Sequence, residues 1–216
     1  MNTTEENRRQ NAGTIFLSGL LLGVVFYFVA EAITPKHVAN PSEHDVLLAN
    51  RLGFIYTPVV GLWLGWLQRS WSRAAFGALV GIVIGFIYMW LCASRNFLAI
   101  MVGFPCLLGG LLAAVAGSNR SDWLSGLGAR FGKGLLAGLV LGFVYMVVLN
   151  IVGSMVTTTD DSPDNYTAGY IATMWRAGPI ALGLSSALFF ILMRWAVGLT
   201  RVRLLVFEVT EPEKKT

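Results

Sequence analysis

The chain has 216 residues, of which 55% are hydrophobic and only 13% charged, where a soluble domain of this size carries about 25% charged residues. Its formal net charge is +4, but the basic residues sit in short connecting segments, so the charge reads as membrane topology and not as a nucleic-acid surface. A soluble globular domain and a nucleic-acid partner are thereby excluded. So is a β-barrel, which needs short segments with polar residues at every second position.

Six apolar stretches approach the length needed to cross about 30 Å of hydrocarbon. Each must be helical, because backbone N–H and C=O groups find no water in lipid. The predicted fold is an all-α, polytopic membrane protein forming a single membrane domain. Its spans fall at 13–34, 52–68, 74–93, 97–117, 134–156 and 169–193, paired as three hairpins, with a cytoplasmic tail over 199–216.

Ahead of the first span, Glu5 and Glu6 stand beside Arg8 and Arg9. The apolar stretch that follows is longer than a signal-peptide core, so it is expected to be retained as a span. It carries Gly19 and Gly23, then Phe26 and Tyr27, and ends at Glu31. An external loop containing Pro35, His37, Pro41, His44 and Asp45 leads to Arg51 and the second span, which holds Pro58 and Gly61. The third span carries Gly77, Gly81, Gly85, Phe86 and Tyr88; a tight turn at Ser94-Arg95-Asn96 leads to the fourth, with Pro105 and Gly109. A connector around Trp123 suits an interfacial amphipathic turn. The fifth span then repeats the third at a constant offset of 57, as Gly134, Gly138, Gly142, Phe143 and Tyr145. The sixth contains Arg176, Pro179 and Gly183.

Two explanations of this repetition stay open: duplication of a hairpin, compatible with a pseudo-threefold arrangement, and convergent packing chemistry. Residues four apart share a helix face, so the glycine stripes let two backbones approach in a medium with no hydrophobic drive. The prolines Pro58, Pro105 and Pro179 each remove a helix hydrogen bond and are expected to kink their spans. Broken helices at membrane depth also build transporter sites.

Of the sixteen Lys and Arg residues, twelve (Arg8, Arg9, Arg69, Arg73, Arg120, Arg130, Lys133, Arg194, Arg201, Arg203, Lys214 and Lys215) fall on the side of both termini. Lys36, Arg51, Arg95 and Arg176 fall on the other. This asymmetry predicts cytoplasmic termini. Arginine-rich usage points to a bacterial inner (plasma) membrane.

The chemistry is sparse. No span centre holds Asp, Glu, Lys or His, and neither a GxSxG, an HExxH nor a Walker lysine is present. His37 and His44, with Glu43 and Asp45, are the one metal-like group, and their spacing suits a hydrated loop better than a zinc site. Cys92 and Cys106 read as small buried hydrophobes. No enzyme activity, metal or cofactor is expected. The candidate binding residues are Arg51, Arg95 and Arg176, one per hairpin, forming an external cationic rim with Glu31 for an anionic headgroup or solute. The functional expectation is a non-catalytic membrane subunit, embedded in lipid, that packs against a membrane-protein partner or forms a homo-oligomer. The rival expectation is a small transporter or channel for a small or anionic solute or lipid, its site between the hairpins on the external side.

Overall fold

The computed structural model describes residues 3–35, 41–67, 71–93, 99–116, 126–156 and 166–197. Within them the regular structure is entirely helical: α1 (Thr3–Ala32), α2 (Pro41–Leu67), α3 (Trp71–Ala93), a π-helical turn (Ala99–Gly103) leading into α4 (Phe104–Ala116), α5 (Leu127–Val156) and α6 (Tyr166–Val197). Five of these helices, all but α4, are long and apolar enough to cross a membrane. The expected tail over 199–216 and the turn at Arg95 lie outside the described residues.

Several boundaries move for identifiable reasons. The span expected over 97–117 is interrupted: five residues of π-helix precede a 13-residue α4. Pro105 has no N–H to offer the carbonyl four residues back. It therefore stands in the first turn of α4, where a missing N–H costs nothing, and does not kink a span interior as expected. Pro58 and Pro179 lie inside α2 and α6, which continue through them.

The second helix starts at Pro41, not near residue 52, so His44 and Asp45 are helical and do not belong to the external loop. A proline at the first helical position and Glu43 in the first turn suit a helix N-terminus. The polar residues Glu43, His44, Asp45, Asn50 and Arg51 hid this start because they break the apolar run without breaking the helix. Helix α5 likewise begins before its apolar run, after Gly126, whose φ of 80° no other residue type adopts readily. The Gly126 carbonyl accepts the Arg130 N–H at 2.9 Å.

The glycine stripes are used in full for antiparallel helix contacts. Backbones come closest between α2 and α3, α5 and α6, α4 and α5, and α1 and α6, and much less so between α1 and α2 or α3 and α4. On α3, Gly77 lies against Gly61, Gly81 against Thr57 and Pro58, and Gly85 against Gly53. On α5, Gly134 lies against Gly109, Gly138 against Pro105, and Gly142 against Met101. On α1, Gly19 lies against Ser186 and Ala187, and Gly23 against Leu182 and Gly183. At Gly77, Gly81, Gly134 and Gly138 an added Cβ would meet a backbone carbonyl, which cannot swing aside as a side chain can.

Each glycine-bearing helix thus packs on a proline–glycine segment of another helix, in one common register. The exception is Tyr27, which occupies the place that Gly81 and Gly138 hold elsewhere. Its ring covers Gly178, and its hydroxyl donates to the Met174 carbonyl at 3.0 Å. A glycine on α6 and a tyrosine on α1 have exchanged bulk across the same contact.

Candidate functional site

The close contacts divide the six helices into two bodies. One is the α2–α3 pair; the other is the row α1–α6–α5–α4. Every described glycine that meets a different helix meets one of its own body: α2 with α3, α4 with α5, α1 with α6, or α5 with α6. None of these glycine contacts crosses between the bodies.

The seam between them is built from large side chains instead. Trp63 of α2 meets Phe190 of α6 edge-on at 4.0 Å between ring centroids, and Tyr88 of α3 stacks on Phe104 of α4 at 3.8 Å. These rings belong to one continuous apolar core that also includes Ile15, Val60, Leu64, Ile84, Leu108, Leu112, Leu141 and Phe189. A seam filled by aromatic rings holds the helix axes further apart than glycine contacts do, which is why the backbones here approach less.

The buried polar contacts between side chains also fall on this seam. Tyr56 of α2 and Ser186 of α6 share a hydrogen bond of 2.6 Å between their hydroxyls. Towards the ends bearing Ala32 and Pro41, Glu31 of α1 and His44 of α2 are 1% and 0% exposed, with His44 Nε2 3.2 Å from Glu31 Oε1. The other ring nitrogen, Nδ1, is 4.0 Å from the half-exposed Asp45 carboxylate. Tyr145 of α5 lies within electrostatic reach of Asp45 and Glu31, and within reach of Tyr88, whose hydroxyl is hydrogen-bonded to Cys92. Thr34 is buried beside this group and donates to the Ala30 carbonyl at 2.8 Å. By contrast, Thr57 works within one body: its hydroxyl lies 2.6 Å from the Gly53 carbonyl and 2.7 Å from that of Gly81.

Of the anticipated cationic rim, Arg51, Arg176 and Glu31 fall among the described residues. Arg51 and Arg176 are exposed, on α2 and α6, and Arg95 lies outside the described set. Glu31, expected to serve the arginines, is turned inward to His44. His44 was grouped with the external loop; in the structure it is a buried helical residue. The signal that could have placed it is the Pro41–Glu43 helix start. That start sets the first turn of α2 beside the last turn of α1 and brings position 44 opposite position 31. Both cysteines are free thiols, and among the described residues no three potential metal ligands converge.

Chemically, the Glu31–His44 pair can hold and exchange a proton, and the Tyr56–Ser186 pair can donate or accept one hydrogen bond. No nucleophile–base pair with an orienting third group is present among the described residues. No family model, curated protein or solved structure matches this chain.

Proposed function

We propose that this protein is a non-catalytic integral membrane subunit whose helices pack tightly among themselves and dock, as a preformed bundle, against a partner chain or a second copy. The observation that carries this reading is the apolar centre. Trp63, Leu64, Leu108, Leu112, Phe189 and Phe190 fill it, and the buried ionisable pair Glu31–His44 is confined to the membrane edge. A solute path through the middle would need hydrated polar lining, whereas an apolar, glycine-packed bundle suits a fixed structural element.

The same reading places the chain in a bacterial inner membrane with both termini cytoplasmic, on the strength of the Lys/Arg asymmetry. It also reads the repetition as duplication. The repeating unit is then a proline–glycine helix followed by a glycine-stripe helix, seen in α2–α3 and α4–α5, with the third unit divided between α6 and α1. Shared register supports this: Gly61 meets Gly77, Gly109 meets Gly134 and Gly183 meets Gly23.

Native mass spectrometry from mild detergent tests the function. The expected result is a stoichiometric assembly with one defined membrane partner or with itself. A monodisperse monomer that moves solute across reconstituted vesicles would reject it. That outcome belongs to the second reading, a small transporter or channel for a small or anionic solute. Its support is the concentration of Glu31, His44, Tyr56 and Ser186 on one seam.

A further inference from the structure

The outward face of α5 carries a polar side chain among apolar ones. Residues 134–156 contain no charged side chain, and α5 is apolar enough to cross a membrane over Leu127–Met155. Asn150 lies inside that stretch and is exposed. Val147 precedes it on the exposed surface, and Ile151 and Met155 continue the apolar exposure for more than a turn beyond it.

A carboxamide has two N–H donors and an acceptor oxygen, and acyl chains can bond none of them. One N–H of Asn150 is used within α5, where Nδ2 donates to the Met146 carbonyl at 2.8 Å. Among the described residues no other helix supplies this amide with a partner. Its second N–H and its Oδ1 are therefore left at the exposed face. Polar groups inside a membrane ordinarily face a neighbouring helix, because interhelical hydrogen bonds are what they can gain there.

The residues around Asn150 are spaced for such a neighbour. Leu136, Val140, Phe143, Val147, Asn150 and Ser154 recur every third or fourth residue, within about 40° of one line along the helix. This is the spacing of two helices that wrap around each other with a left-handed twist. Gly132, one turn earlier, continues the line, and an added Cβ there meets nothing within 4 Å. The glycines that α5 spends on α4, namely Gly134, Gly138 and Gly142, lie on the opposite side of the helix.

A second copy of this chain fits that face by symmetry. Copies inserted with one topology are related by an axis along the membrane normal, so their α5 helices run parallel and meet like residue against like residue. Asn150 then stands opposite Asn150 at the same depth, and each amide offers the donor and acceptor the other lacks. A different chain would have to bring a polar group to that depth. No like charges oppose each other along 134–156, and one polar residue in an apolar seam fixes the register of the pair.

We infer that α5 pairs with α5 of a second copy along residues 136–154, the two Asn150 carboxamides hydrogen-bonding across a two-fold axis. The inference rests on the subunit reading and narrows it to one partner and one surface.

Oxidative cross-linking of the full chain in lipid vesicles tests it, in a background with Cys92→Ala and Cys106→Ala. Val147→Cys should link two copies, and Leu79→Cys, exposed on α3, should not. Asn150→Leu should weaken two-copy association about tenfold, within the range for a hydrogen bond between model membrane helices. Asn150→Gln keeps the amide and should recover most of that loss. Equal cross-linking at Leu79→Cys, or association that Asn150→Leu leaves unchanged, overturns the inference. Native mass spectrometry of the extracted protein separates the other failures. One copy bound to a different membrane protein overturns the pairing and leaves the subunit reading standing. One copy alone overturns the pairing, and with solute flux in vesicles it overturns the subunit reading as well.

Discussion

Two kinds of interface hold this bundle together, and they differ in how much disturbance they can absorb. Between α2 and α3, or α4 and α5, glycine faces backbone, and an added carbon meets a carbonyl that cannot rotate away. Across the seam, ring meets ring, and a changed side chain has rotamers and neighbouring lipid to accommodate it. The lesson is that small residues in a membrane bring backbones into contact, while aromatic residues hold helix axes apart. Neither interface depends on a hydrophobic drive, since lipid tails are as apolar as the core.

The largest effect is expected where the glycine interface is filled. Gly138→Leu would push a branched side chain into the Pro105 carbonyl and should abolish the folded bundle, scored as loss of a monodisperse species in mild detergent. Gly138→Ala should cost about 1–3 kcal/mol, the range for overpacking, in reversible unfolding by added SDS. Next comes the buried Glu31–His44 pair. His44→Ala removes the Nε2 contact of the buried Glu31 carboxylate, and should destabilise by about 3 kcal/mol, the low end for a broken buried pair. The double variant Glu31→Leu/His44→Leu should recover most of that loss, and a double variant as unstable as His44→Ala would show that the pair acts through more than its charge.

Seam substitutions should cost less. Tyr56→Phe deletes only the hydroxyl contact with Ser186 and is expected to cost about 0.6 kcal/mol; a cost equal to that of Gly138→Ala would erase the distinction between the two interfaces. The smallest effect belongs to glycines that meet nothing. An added Cβ at Gly132 finds no atom within 4 Å, so Gly132→Ala should be neutral or stabilise α5 by up to about 1 kcal/mol through helix propensity. A destabilising Gly132→Ala would reveal a contact made by this face outside the monomer.

Much of the helical content was legible because membrane spans announce themselves by uninterrupted apolar length, and five of the six segments do so. Boundaries were legible only where apolarity and helicity end together. At α2 they do not: Glu43, His44, Asp45, Asn50 and Arg51 are polar yet helical, and this concealed His44 from its partner. Ahead of Pro105 the apolar run holds a π-helical turn in place of α-helix, because proline removes a donor without altering hydropathy. The repeated glycine spacing signalled close packing correctly but not which helices pack. The contacts of Gly23 with Gly183 and of Tyr27 with Gly178 set the register of α1 on α6, which the spacing of Gly19, Gly23, Phe26 and Tyr27 does not reveal.

What the sequence determined by itself is the medium and the secondary structure: sparse charge and long apolar runs leave the backbone no choice but to bond within each helix. It also determined that these helices approach closely, because glycines four apart have no other economical use in lipid. Only the tertiary structure decided which stripe meets which partner, that Glu31 faces His44, and that rings separate α2 and α3 from the rest. Those outcomes depend on contacts between residues far apart in the chain. A stripe of glycines specifies closeness, and many helix faces can supply it; the choice among them is made by how all six helices fill one shared volume.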